Sequence, residues 1–153
     1  MNPNSPVKGR SAMRKNIVEE ELSRVIISAF YEVYNALGFG FLESIYMRAL
    51  EIALRHRGLL VEREVACEIY FMNERIGVHR ADMLVERRII IEVKASAALA
   101  EMNKRQLLNY VRAFDLELGI LLHFGPKPTF HRVLSARKRQ QKAIDSAHSC
   151  DSD

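Results

Sequence analysis

Two cysteines in 153 residues, Cys67 and Cys150, are too few for a disulfide framework. Long apolar runs are missing too: Val25-Ile26-Ile27 and Ile120-Leu121-Leu122 fall far short of a bilayer span. The opening Met1-Asn2-Pro3-Asn4-Ser5-Pro6 has no charged segment followed by an apolar one, which argues against a secretory signal. Together these absences make the cytoplasm the expected location and leave no membrane partner. Neither G-x-x-x-x-G-K-[ST] nor G-x-G-x-x-G occurs, so nucleotide binding through such loops is unsupported. Ser44 lacks the G-x-S-x-G context of a nucleophilic serine. His56, His79, His123, His131 and His148 have no metal-ligand spacing and read as structural or solvated.

What is present is the composition of one globular domain, 48% hydrophobic and 27% charged, long enough for a single hydrophobic core. The net charge of +4 permits contact with nucleic acid without requiring it. Much of that excess lies in Arg137-Lys138-Arg139 and Lys142, which read as a solvated tail ahead of a phosphate-binding patch.

Residues 1–15 are rich in Pro, Ser, Asn and Lys and are expected to be disordered. From Ile17 to Leu37 apolar residues recur at helical spacing, and Gly38-Phe39-Gly40 ends that helix. A second helix is predicted from Phe41 to Arg57, stopped by Gly58. The period then switches to two. Leu60–Val65 and Ala66–Phe71 read as one or two strands, Asn73-Glu74 as a turn, Ile76–Val85 as a strand, Glu86-Arg87-Arg88 as a turn and Ile89–Ala95 as a strand. These three stretches of strand are expected to pair antiparallel in succession. A third helix over 98–114, a buried strand over 118–124 and an exposed strand over 130–134 complete the domain, 16–135, with 136–153 as a basic and then polar tail. The order α-α-β-β-β-α-β-β implies an α/β (α+β) fold, a mixed central sheet flanked by helices.

The chemistry gathers in one hairpin. With Glu86-Arg87-Arg88 as a three-residue loop, Val85 opposes Ile89 and Asp82 opposes Glu92, their Cβ atoms roughly 4.5–5.5 Å apart. Alternation puts Glu92 and Lys94 on one face and Ile91 and Val93 on the other. Facing carboxylates repel unless a cation lies between them, and a register shift of one residue would separate them. Glu-x-Lys also arises as a solvent face with a cross-strand salt bridge.

Gly40-Phe41-Leu42-Glu43-Ser44-Ile45-Tyr46, a G-x-x-E-x-x-Y motif, is followed in order by Asp82, Glu92-Val93-Lys94 and Gln106-Leu107-Leu108-Asn109-Tyr110. This series resembles the GxxExxY family of prokaryotic proteins, within the PD-(D/E)XK nuclease superfamily, over roughly residues 17–134. The resemblance implies a restriction-endonuclease-like core and a Mg²⁺-dependent nuclease, with Mn²⁺ as a substitute. It makes Asp82 and Glu92 the metal-binding acids, joined by the Val93 carbonyl and by Glu43 directly or through water. Lys94 is the lysine that orients the attacking water and stabilises phosphate charge, and Gln106 positions that lysine or the substrate. Tyr110 lies one turn beyond Gln106, and Tyr46 and Gly40 are supporting residues. Without the resemblance, Glu43 reads as an acid favoured by a helix N-terminus, Tyr46 as a core-edge residue and Gln106 as a surface residue. The chain departs from the family's pattern at Phe39, usually proline, and at Ala81 before Asp82, nominally proline. The implied substrate is nucleic acid, DNA before RNA, and a homodimer is an arrangement the superfamily uses. The rival reading is a catalytically inactive nuclease-fold protein that binds nucleic acid or a protein partner.

Overall fold

The computed structural model of the protein describes residues 8–136, with side chains from Glu19 onward. Eight elements follow in the expected order: α1 (Lys8–Leu37), α2 (Glu43–His56), β1 (Val61–Phe71), β2 (Glu74–Val85), β3 (Ile89–Lys94), α3 (Glu101–Ala113), β4 (Leu118–Phe124) and β5 (Pro128–Leu134). Helix α1 takes in residues 8–15, so the segment expected to be disordered is helical there, while residues 1–7 lie outside the described residues. Almost all of the basic and polar tail, 137–153, lies outside them too. Among the described residues no helix is long and apolar enough to cross a membrane.

The five strands form one sheet in the order β1-β2-β3-β4-β5. Pairing is antiparallel except between β3 and β4, which run parallel and are joined through α3. Helices α1 and α2 cover one face. Ile26, Phe30, Leu50 and Leu54 pack there against Met83, Ile91, Val93, Ile120 and Leu122. Helix α3 covers the other face, with Leu107 and Val111 against Ala81, Leu84, Ile90 and Leu121. Because β3 and β4 are covered on both sides, their sequences are unbroken apolar runs rather than alternating ones. Helix α3 sits close to β4 because position 119 is glycine: a Cβ there would lie 2.6 Å from Val111 Cγ2 and 2.9 Å from Leu107 Cδ1.

The turns explain where the strands begin and end. Helix α1 stops at Gly38, which has φ +69° and donates its N–H to Tyr34 O at 2.8 Å. The β1–β2 hairpin turns at Met72-Asn73, one residue earlier than expected, with both residues left-handed at φ 49° and 64° as a tight two-residue loop requires. The register shifts by one residue between Ile69 and Tyr70. The β2–β3 turn has the expected three residues and register, Val85 opposite Ile89. Its Glu86 is tied to the start of β1, the carboxylate accepting from Leu60 N–H at 2.7 Å and the Glu86 N–H donating to Leu60 O at 2.9 Å.

Candidate active site at the end of β3

Strand β1, Val61–Phe71, is a single strand, and it is irregular at Glu64, which has φ 51° and no ladder partner. Pairing runs Arg63 with Met83 and then Val65 with Ala81, so the irregularity sits level with Asp82. Side-chain alternation slips at the same place: Ala81 and Leu84, three residues apart, both face α3. On the other side of β2 the ladder to β3 reaches Met83–Ile91 and stops. Asp82 therefore leaves the regular ladder, and its Oδ2 accepts the Val93 N–H at 2.8 Å. The carboxylate takes up a backbone donor of β3 at the point where the strand pairing gives out.

Glu92 lies beside it, 8% exposed. Burial is the main cause that pushes its carboxyl up, to about 8. The charge of Asp82 and a hydrogen bond shared with it add to the rise, and the Lys94 ammonium offsets part of it. The repulsion expected from two facing acids is thus relieved by a proton held on Glu92. An arrangement that raises a carboxyl so far favours any hard cation able to displace that proton.

Glu92 and Lys94 open into a cleft of about 100 Å³ between the sheet and α3, with Leu107 and Leu121 as its apolar lining. Gln106 and Tyr110 line it from α3, as their helical spacing predicts. Two further residues line it that the sequence reading missed, His79 on β2 and Asn103 on α3. His79 Nε2 stands 3.1 Å from Glu92 Oε1, and its ring stacks on Tyr110 with centroids 3.2 Å apart and planes 5° from parallel. Burial lowers the His79 pKa, helped by Lys94 and opposed by Asp82. The one signal in the sequence was spacing: His79 stands two residues before Ala81, on the same strand face. Nothing in the sequence announces its stack with Tyr110, which exists because α3 crosses this face of the sheet.

Glu43 comes from the opposite side. It is the first residue of α2, and its Oε2 accepts the Ala95 N–H at 3.4 Å, a long bond just beyond Lys94. The loop that aims it is fixed by Tyr46, which is fully buried, stacked on Phe124 at 4.2 Å. The Tyr46 hydroxyl donates to Gly38 O at 2.6 Å and accepts from Phe41 N–H at 3.2 Å. Tyr46 is thus a core residue whose one polar atom closes the loop, rather than a residue at the core's edge. Gly40, at φ +113°, takes a conformation in that loop that side chains strain to adopt.

The structure therefore brings Asp82, Glu92, Lys94, Gln106 and Tyr110 to the end of β3, the last four lining the cleft on the α3 side. Glu43 reaches the same strand end from the α2 side, and the Val93 side chain is in the core. Among the described residues no three His, Cys, Asp or Glu side chains are close enough together to hold a metal ion.

A family model described as the PD-(D/E)XK nuclease superfamily matches residues 20–133. No curated protein matches the chain. Among solved structures, the crystal structure of SSO0001 is similar at 26% identity and a TM-score of 0.50, over 86% of this chain and 64% of that one. The chain thus spans less than two thirds of that protein's length. A mixed five-stranded sheet held between α1/α2 and α3 is the restriction-endonuclease-like arrangement, and the acids at the end of β3 fall within the matched span. On that match, the chain belongs to the PD-(D/E)XK nuclease superfamily.

Proposed function

We propose that the protein is a divalent-metal-dependent nuclease that hydrolyses phosphodiester bonds of nucleic acid, DNA before RNA. The observation that carries this is the Asp82–Glu92 carboxyl pair, half-buried and buried, with Glu92 and Lys94 lining a cleft under α3. Nuclease chemistry is what superfamily membership supports, and nucleases of this superfamily generally use divalent metals. Hard oxygen donors suit Mg²⁺, with Mn²⁺ as a substitute. Asp82 and Glu92 would hold the ion with the Val93 carbonyl, and Glu43 would reach it directly or through water. When bound, the ion supplies Lewis acidity and charge neutralisation at the phosphate.

The chain's own residues do the rest. Lys94 projects an ammonium into the cleft, where it orients the attacking water and offsets charge on the phosphate oxygens. Gln106, on the cleft wall, offers an amide to Lys94 or to the phosphate. The cleft's apolar lining keeps these charges partly out of water, which strengthens each contact.

The test is cleavage of plasmid, linear double-stranded and single-stranded DNA, and of RNA, with Mg²⁺ or Mn²⁺. Asp82→Asn and Lys94→Ala should each abolish cleavage while keeping a cooperative melt. Equal activity in both variants and the unaltered protein would sink the proposal. Nucleic-acid binding without cleavage, and with no heat of Mg²⁺ or Mn²⁺ binding at millimolar concentration, would select the rival reading, a nuclease-fold protein that only binds.

A further inference from the structure

β3 leaves the sheet immediately after Lys94, and two side chains grip the peptides that follow. Glu43 takes the Ala95 N–H from the α2 side over a long 3.4 Å. His123 takes the Ser96 carbonyl from the α3 side, its Nε2 2.7 Å from Ser96 O. If Glu43 turns toward an ion, the first grip is released and His123 remains.

His123 is built for such a hold. It is 5% exposed on β4 and is the parallel ladder partner of Lys94, so the two side chains rise next to each other from the same sheet face. A carbonyl oxygen only accepts, so the ring proton sits on Nε2. Nδ1, 3.2 Å from Thr129 Oγ1, is then free to accept the threonine hydroxyl, which keeps the ring in that tautomer. The Ser96 hydroxyl, 3.4 Å from Nε2, donates instead to Ala98 O at 2.8 Å and tightens the turn into α3. Behind the ring the chain folds over at Gly125, where a Cβ would lie 2.5 Å from His123 Cε1. Thr129, Ser96 and the turn at Gly125 thus meet the ring on three sides.

We propose that His123 is a positioning residue. By holding Ser96 it fixes the path of β3 beyond Lys94, and so the placing of the Lys94 ammonium and the Val93 carbonyl. Its catalytic consequence rests on the nuclease reading above; the hold itself does not.

The experiment compares His123→Ala, His123→Gln and Thr129→Val on supercoiled plasmid and single-stranded DNA with Mn²⁺. His123→Ala should lower kcat roughly 10- to 100-fold with little change in KM, the scale on which a misplaced catalytic group costs rate. His123→Gln keeps an N–H near the Nε2 position and should recover most of that loss. Thr129→Val removes only the hydroxyl that orients the ring; it should give a smaller loss of kcat and serves if His123→Ala fails to fold. Unchanged kcat in folded His123→Ala, or equal losses in the alanine and glutamine variants, would overturn the proposal. Should the unaltered protein cut no nucleic acid, the nuclease reading fails and the hold is read by NMR. The His123 proton should then appear on Nε2, and exchange of the Ala95–Ala97 amides should quicken in His123→Ala but not in His123→Gln. A proton on Nδ1, or equal exchange in all three proteins, refutes the hold.

Discussion

Tyr46 joins two kinds of work in one side chain. Its ring is fully buried against Phe124 and Phe41, so it belongs to the core. Its hydroxyl, bonded to Gly38 O and Phe41 N–H, closes the loop that presents Glu43. The motif G-x-x-E-x-x-Y thereby acquires a physical meaning: glycine lets the loop bend, tyrosine locks it, and the acid between them is aimed at the end of β3. Tyr46→Phe keeps the packing and removes both bonds. It should cost about 1–2 kcal/mol in urea unfolding, the range for two polar groups left without a partner. Nuclease activity should fall further than that loss explains, because Glu43 loses its aim. A phenylalanine variant with the parent's stability and activity would show that the hydroxyl bonds are incidental.

At the scale of elements, the position of each helix over the sheet rests on a few contacts that can be cut. Helix α3 owes its closeness to Gly119, and through it Gln106 and Tyr110 reach the cleft. Gly119→Ala forces a methyl against Leu107 and Val111 and should cost about 1–3 kcal/mol by overpacking, with activity reduced because α3 is pushed outward. The measurement is a melt paired with a cleavage assay; a stable, fully active alanine variant would refute the argument. Helix α2 is pinned to β1 through Glu51, whose carboxylate meets Arg48, Arg55 and Arg63 at 3.0–3.1 Å. Burial pushes that carboxyl up, but hydrogen bonds from Arg48 and Arg63 outweigh it and hold the group below its ordinary value. The arginine side chains are 26–66% exposed, so water screens them, and Glu51→Ala should cost only about 1–2 kcal/mol, less in high salt. The elements themselves were largely legible because their signals are local. Helical spacing gives α2 and α1 from Ile17 onward, and an apolar run gives β4 at its observed bounds; the first turns of α1 are masked by a polar composition that reads as disorder. The β2–β3 register from Val85–Ile89 to Met83–Ile91 followed from a three-residue loop, but the expected pairing of Asp82 with Glu92 lies beyond the end of that ladder. What stayed illegible beyond that is non-local: the left-handed Glu64 level with Asp82, the register shift between Ile69 and Tyr70, and His79 and Asn103 in the cleft. None of these leaves a periodic trace, since each depends on which strand or helix lies across from it.

For the whole molecule, Glu92 and Glu51 set opposite slopes of stability with pH. Glu92 carries a raised pKa, about 8 against 4.5 for an ordinary glutamate, so between those values the folded chain binds more protons than the unfolded one. The stability linked to its proton is complete below about 4.5 and is lost as pH rises through about 8. Glu51, held low by its arginines, contributes stability that is present above the ordinary glutamate value and disappears in acid. The Tm measured in chelator should therefore fall as pH rises from about 5 to about 8. Glu92→Gln, which copies the protonated acid without its charge, should flatten that fall. A bound cation competes with the proton on Glu92, so the rise in Tm on adding Mg²⁺ should grow over the same pH range and vanish in Glu92→Gln. Differential scanning fluorimetry at several pH values, with and without Mg²⁺, checks all three slopes. A Mg²⁺ effect independent of pH, or one that persists in Glu92→Gln, would place the ion somewhere other than the end of β3. The same carboxyl that weakens the metal-free fold near neutral pH is then the one that ties its stability to the ion, so cation binding and folding would be read in a single melting curve.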